Sequence, residues 1–485
     1  PDGDSMVTIL DLEPKQVWKH FDEIRKIPRC SKHEEKIRKY ILDFAKKNKL
    51  EAKTDKAGNV LIRKPASKGM ENKPIVVLQG HIDMVCEKNA DVEHDFSKDP
   101  IKVKVEGNKV RAEGTTLGAD NGIGIAIMLS ILEDKKLKHG PIEALFTVDE
   151  ETGLTGAFAI EPDFLDGRIM LNLDSEDFGV ITIGSAGGGN STIELPLRYT
   201  EAKEDLVGLK IKVHGLKGGH SGVDIHEQRG NAIKILARLL WKVKEDFLLA
   251  DISGGDKMNA IPREATAILY VQKEKKENII SCIRESEKDI AEEIKPIDPD
   301  FKVEIEDFKE RKKVLDRDSQ NKLINLLHAL PHGVDRMSFD VPGLVETSTN
   351  LAKVSIENGK AVIGMSSRSA IKSALQDMRD RIKATASLAG AEVKEDNPYP
   401  GWKPNPKSRI LGIAKEVYRE MFGEEPKVEA IHAGLECGII GEKFPGMDMI
   451  SIGPTIKHPH SPDEYVEIDS VEKFYRYVLK LLERV

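Results

Sequence analysis

Apolar residues in the first third of the chain follow two rhythms. Residues 17–27 and 34–48 repeat them at the three-to-four spacing of a helix buried along one stripe. Residues 75–78, 142–148 and 169–173 are short unbroken apolar runs, the length of buried strands, and each ends in a polar cluster. Residues 60–62 read as a further short strand, and residues 122–132 are apolar enough to be a helix buried all round. Buried strands alternating with helices predict an α/β domain on a mostly parallel, mixed sheet. In such sheets functional groups gather beyond the carboxyl ends of the strands, where these polar clusters fall.

The texture changes after the glycine-rich stretch 184–189, which reads as a hinge. Residues 209–213 alternate like a half-exposed strand, 231–247 carry an amphipathic helical pattern, and 265–271 return to a strand. A helix over 277–294 and a strand over 301–305 follow. A comparable series recurs between residues 347 and 393, with strands at 351–356 and 360–366 and a helix at 369–388. The proline-rich stretch 397–404 reads as a second hinge, and helices at 409–422 and 471–483 complete the first domain. The expected organisation is therefore a discontinuous catalytic domain, 6–186 plus 400–485, carrying an inserted α+β lid domain, 187–399, built of two similar halves. Residues 1–5, ahead of Met6, read as a remnant of an expression vector.

Composition narrows the partners. A net charge of −8 over 485 residues does not argue for nucleic acid or an anionic membrane as a partner, and neither is expected. Charged residues make up 32% of the chain, but the recurring apolar blocks still specify a folded protein with a highly charged surface. No run of 18 apolar residues occurs, and the four cysteines, Cys30, Cys86, Cys282 and Cys437, are scattered without a CxxC. Four reduced thiols in a cytoplasmic protein are the expectation.

The candidate chemistry lies in Gly80-His81-Ile82-Asp83, Gly118-Ala119-Asp120-Asn121-Gly122, Asp149-Glu150-Glu151-Thr152-Gly153, Asn172-Leu173-Asp174 and His458-Pro459-His460-Ser461-Pro462-Asp463-Glu464. Two divalent cations held close together need several carboxylates, one of them shared, and imidazoles as neutral donors. Each segment has an ordinary reading as well. His81 fits a strand-end histidine, Asp120 a helix cap, Asp174 a turn and Glu150-Glu151 a solvated bend. Their joint occurrence in this order, three of them at strand ends, is what the ordinary readings do not supply.

With Thr116-Leu117-Gly118 and His432-Ala433-Gly434-Leu435-Glu436-Cys437-Gly438 added, the chain from Met6 to Val485 resembles the di-zinc aminoacylase/carboxypeptidase superfamily of peptidases. Within it, the similarity is to the aminoacyl-histidine dipeptidases. The resemblance implies one metal on His81 and Asp174, another on Glu151 and His460, and Asp120 bridging. It implies that Asp83 orients the His81 imidazole and that Glu150 is the general base. His458 competes with His460, and the family pattern favours the histidine directly before Ser-Pro-Asp-Glu. His94, His226 and His332 carry no supporting motif.

In the lid, the resemblance implies that His220 stabilises an oxyanion, that Asn259 contacts substrate, and that Arg368 captures a terminal carboxylate. Glu436 is a candidate for holding the free amino end. Zinc is the expected metal, with manganese or cobalt as alternatives. The expected reaction is hydrolysis of dipeptides, including Xaa-His. An N-acyl amino acid deacylase, a tripeptidase, or a non-catalytic peptide-binding protein on the same scaffold are the alternatives. His220 and Asn259 lie in the first half of the lid and Arg368 in the second. One chain is therefore expected to supply both roles, so that a homodimer is not needed to complete the site.

Overall fold

A computed structural model describes residues 6–485; residues 1–5, which the sequence reading set apart, lie outside the described residues. Contacts divide the chain into two compact units. The first comprises the described residues up to Gly184, Pro404–Ala430 and Leu435–Val485; the second comprises Ser185–Lys403 and Ile431–Gly434.

The first unit is built on an eight-stranded sheet. Its centre is four parallel strands in the order Ile142–Thr147, Val76–His81, Ile169–Asn172, Asp448–Ser451. Antiparallel strands flank them, Val60–Lys64 and Glu51–Thr54 on one side and Val180–Ser185 on the other. The sheet is thus mixed with a parallel centre, and the central strands Val76–His81 and Ile142–Thr147 are buried from end to end, as their unbroken apolar sequence requires. The helix Ala119–Glu133 is buried along its whole length up to Leu132, and its regular backbone begins after Asn121. Three polar clusters, around His81, Glu150 and Asp174, follow the carboxyl ends of three adjacent parallel strands. The strand Asp448–Ser451 and the amphipathic helix Ile468–Arg484 return the C-terminal segment to this sheet.

The second unit carries a nine-stranded antiparallel sheet whose two halves have one topology. In the first half, the strands Leu206–His214, Phe247–Gly254, Ala265–Gln272 and Lys302–Phe308 lie in the spatial order fourth, first, third, second. In the second half, Gly187–Pro196, Val345–Glu357, Lys360–Ser369 and Glu392–Glu395 repeat that order. The two second strands meet where Gly254 pairs with Val354. Each half also places a helix between its first and second strands, Ala232–Lys242 and Arg317–Ala329, and another between its third and fourth, Lys276–Ile294 and Lys372–Leu388. Leu236, Ile283, Leu323 and Met378, one from each helix, share a single apolar core with Leu209, Leu249, Leu351 and Ile363 of the sheet.

The second half is longer than the sequence pattern suggested. Its first strand, Gly187–Pro196, precedes the first half, which is inserted between that strand and the rest. The expectation of four free thiols is corrected as well. Cys30 and Cys86 form a disulfide, whereas Cys282 and Cys437 are free. The two bonded cysteines are 56 residues apart, and no local spacing marks them. They meet because residue 30 bridges to Met84 beside the strand that ends at His81.

Candidate metal centre

The strand ends bring His81, Glu150, Glu151 and Asp174 together, and the turn before the helix Ala119–Glu133 adds Asp120. His81 is fully buried. Its Nε2 lies 3.0 Å from Asp120 Oδ1 and 3.3 Å from Asp174 Oδ1. The other oxygen of Asp120, Oδ2, lies 2.9 Å from His460 Nε2, which is also 3.0 Å from Glu151 Oε2. One carboxylate therefore divides its two oxygens between two imidazoles. Donor atoms about 3 Å apart are the edges expected around a cation holding each ligand at about 2.0–2.2 Å. The donor set, two imidazoles and at least three carboxylates, suits zinc and harder divalent ions alike, and it fits two cations with Asp120 between them.

Asp83 serves both the histidine and the acidic loop. Its Oδ1 lies 3.1 Å from His81 Nδ1, which is also 3.0 Å from the Asp83 carbonyl oxygen. The same carboxylate accepts the backbone N–H groups of Glu150 (3.1 Å) and Glu151 (3.2 Å) and the Ser31 hydroxyl (2.6 Å). Bonded at Nδ1 to acceptors, His81 presents Nε2 as a donor atom for a cation. The acidic turn itself is fixed at Asp149, which adopts a left-handed φ of 48° and accepts hydrogen bonds from the hydroxyls of Thr152 and Thr155.

Electrostatics separate the carboxylates. Burial pushes the Glu150 carboxyl well above its ordinary range, and the charges of Asp174, Glu151 and Glu436 push the same way against His81. Burial raises Asp174 and Glu436 too. Asp120 moves down despite burial, because His460 and His81 both bond to it. Burial opposes a charged His81, but Asp174, Glu150 and Asp120 outweigh it and raise its pKa, while the bonds that His460 donates to Asp120 and Glu151 lift it to about 11.

Glu436 is buried, with Oε1 accepting from the Gln79 amide at 2.9 Å and Oε2 lacking a partner among the described residues. His458 stands apart from the acids, its ring 6.0 Å from that of Tyr465.

The second unit groups the remaining candidates. Backbone N–H groups of Gly222 and Val223 both donate to His220 Nδ1 at 3.0 Å, so the proton of the neutral ring sits on Nε2 and leaves it as a donor. Burial and the nearby Arg368 hold the His220 pKa below its ordinary value. The loop of His220 is tied to that of Asn259 by the Ser221 N–H, which donates to the Asn259 carbonyl at 2.9 Å. Arg368 is nine-tenths buried, its Nη1 3.3 Å from the Tyr399 hydroxyl and its Nε without a partner among the described residues. Such a guanidinium has donors to spare for an anion.

Several supporting residues escaped the sequence reading: Arg29, Ser31, Asn59, Gln79 and Glu464. Asn59 accepts from the Val148 N–H at 3.0 Å and donates to the Gly156 carbonyl at 2.8 Å, bracketing the acidic turn. Only Glu464 stood inside a motif, and that motif was used for His460 alone.

The profile of peptidase family M20/M25/M40 matches residues 77–484. Over 482 residues the chain is 41% identical to the cytosol non-specific dipeptidase of Escherichia coli, covering 99% of both chains. It superposes on the crystal structure of aminoacylhistidine dipeptidase from Vibrio alginolyticus with a TM-score of 0.95 and 42% identity, covering 99% of this chain and 98% of that one. The fold extends to the aminopeptidase PepT of Bacillus cereus, with a TM-score of 0.57 at 17% identity.

Proposed function

This chain belongs to peptidase family M20/M25/M40, and from that premise we propose that it is a dipeptidase working with two divalent cations, zinc first, on short peptides that include Xaa-His. The observation that carries the reading is the division of Asp120 between His81 and His460. The names of two relatives similar over nearly their full length, both dipeptidases, favour this substrate class over tripeptides or N-acyl amino acids.

His81, Asp120 and Asp174 would hold one cation, and Asp120, Glu151 and His460 the other. Bound there, the cations supply Lewis acidity, polarising a peptide carbonyl and acidifying water. Glu150, raised by burial among acids, is suited to take a proton from the attacking water and return it to the leaving amine. Asp83 keeps His81 in the tautomer that leaves Nε2 free. His220, with its proton on Nε2, donates to the oxygen that gains charge as the carbonyl is attacked. Arg368 pairs with the terminal carboxylate, Asn259 contacts the peptide between them, and the open oxygen of Glu436 receives the free amino group. Because both lid halves belong to one chain, a single subunit supplies all these groups, and a homodimer is not required for turnover. The E. coli relative is named for the cytosol, and we place this chain there.

The test is hydrolysis of Ala-His or Gly-His by chelator-stripped protein before and after zinc or manganese is returned. Metal-restored cleavage of dipeptides, with longer peptides left intact, is expected. Survival of the dipeptides under every metal would move the substrate to acylated amino acids or make the protein a binder.

A further inference from the structure

Two buried, oppositely charged side chains outside the proposed ligand set grip the turn, residues 117–120, that leads into Asp120. Glu464 is 2% exposed. Its Oε1 accepts the N–H groups of Leu117 at 2.9 Å and Gly118 at 3.0 Å, and its Oε2 accepts the N–H of Asp120 at 3.1 Å. From the other side Arg29, also 2% exposed, donates through Nη2 to the Gly118 carbonyl at 2.5 Å. Through Nη1 it donates to the carbonyls of Ile82 and Asp83, both at 3.1 Å. Gly118 is left-handed, with φ of 76°, and a Cβ there would lie 2.6 Å from Arg29 Nη2, so glycine alone lets the guanidinium approach.

The turn that carries Asp120 receives one bond from its own helix, from the Gly122 N–H to the Gly118 carbonyl at 3.0 Å. It is held by a carboxylate four residues beyond His460, from the far end of the chain. Both donors that flank Glu151 in the proposed second cation position, Asp120 and His460, depend on one segment, 460–464. His81 and Asp174 are anchored independently, by the strand Val76–His81 with Asp83 and by the strand Ile169–Asn172. Backbone amides bonded to a carboxylate are charge-assisted contacts, and their loss frees both the loop and the segment that spans to it.

We infer that Glu464 is a positioning residue that sets the distance between Asp120 and His460, and so governs the affinity of one of the two cation positions, that of Glu151 and His460, more than the other. Glu464→Gln tests it. The substitution keeps size and one acceptor oxygen, but it turns an amide NH2 toward an N–H that needs an acceptor. Glu464→Asp keeps the charge opposite Arg29 and withdraws it from the amides; it is the variant to measure if Glu464→Gln does not fold.

This inference rests on the two-cation reading, and the measurement separates the two. Zinc is titrated into chelator-stripped protein against a chromophoric competitor, and turnover of a dipeptide is followed over the same zinc range. Wild type should bind two equivalents. The variant should keep one and bind the other about 10–100-fold more weakly, with kcat recovering at saturating zinc and KM for the peptide little changed. Wild type binding no zinc would remove the two-cation reading itself. A folded variant that binds both equivalents as tightly as wild type, or loses both together, would overturn the role given to Glu464.

Discussion

At the scale of the residue, the site is a set of carboxylates whose surroundings give them different work. Glu150 and Glu151 are adjacent and burial raises both, yet Glu151 bonds to His460 at 3.0 Å while Glu150 only approaches His81 Nε2, at 3.7 Å, and is raised further. Glu150→Ala should therefore retain its cations and lose turnover by about 10²–10⁴-fold, whereas His460→Ala should lose bound metal as well. Metal content beside kcat distinguishes them, and intact turnover in Glu150→Ala would remove it as the base. Two histidines of the second unit set a different limit. Burial, with Lys234 beside it, lowers His332 to about 4; burial, with Arg368 nearby, lowers His432 to about 3. Unfolded histidine titrates near 6.5, so below that pH the unfolded chain binds protons that the native one refuses. Stability should be unaffected by these groups above about pH 7 and fall as the pH falls from 6.5 toward 4, by about 1.4 kcal/mol per pH unit for each. In His432→Gln the urea midpoint should fall less steeply over that range. Of the residues involved, the proposed ligands were legible because each stands in a compact motif. Arg29 and Asn59 were not: the partners of Arg29 lie 53 residues away or more, and Asn59, whose local bonds to Asp55 mark only a turn, reaches the acidic loop 89 residues away.

At the scale of the element, unbroken apolar runs told the truth about the parallel strands, and glycine misled. The strand Gly187–Pro196 opens with three glycines, which read as a hinge, although they pair with Ser367, Arg368 and Ser369. The strand Phe247–Gly254 was hidden because the pattern of the preceding helix ran on to residue 247, while the helix itself ends at Lys242. In both cases tertiary pairing decided what local pattern left ambiguous. The helix Ala119–Glu133 was legible, but its closeness to the sheet was not. A Cβ on Gly124 would lie 2.7 Å from the Leu173 carbonyl oxygen and closer still to the Asn121 side chain. Gly124→Ala, ordinarily favourable in a helix, should here cost about 1–3 kcal/mol through overpacking, read as a lowered denaturation midpoint. Because Leu173 precedes Asp174, the same variant should weaken metal retention, which an exposed glycine-to-alanine change such as Gly412→Ala should not.

At the scale of the whole molecule, the chain carries both halves of the second unit, and this bears on assembly. His220 and Asn259 lie in the first half, Arg368 in the second. A preparation held monomeric by dilution should keep full turnover per chain, measured by activity across a size-exclusion dilution series. Inactive monomers that recover on dimerising would end that reading. The alternation of strand and helix was readable from the chain, because each element has to satisfy its own apolar pattern. The nesting of one half inside the other was not, because pairing partners leave no mark on each other's sequence.

That nesting also fixes an order of events during synthesis. The strand Gly187–Pro196 emerges from the ribosome first, but its partner Lys360–Ser369 follows roughly 170 residues later, a delay of about 10–35 s at ordinary elongation rates. Between the two, the entire first half appears and can close its own four strands and two helices. The early strand therefore waits beside a finished neighbour, unpaired, until the last part of the second unit arrives to claim it.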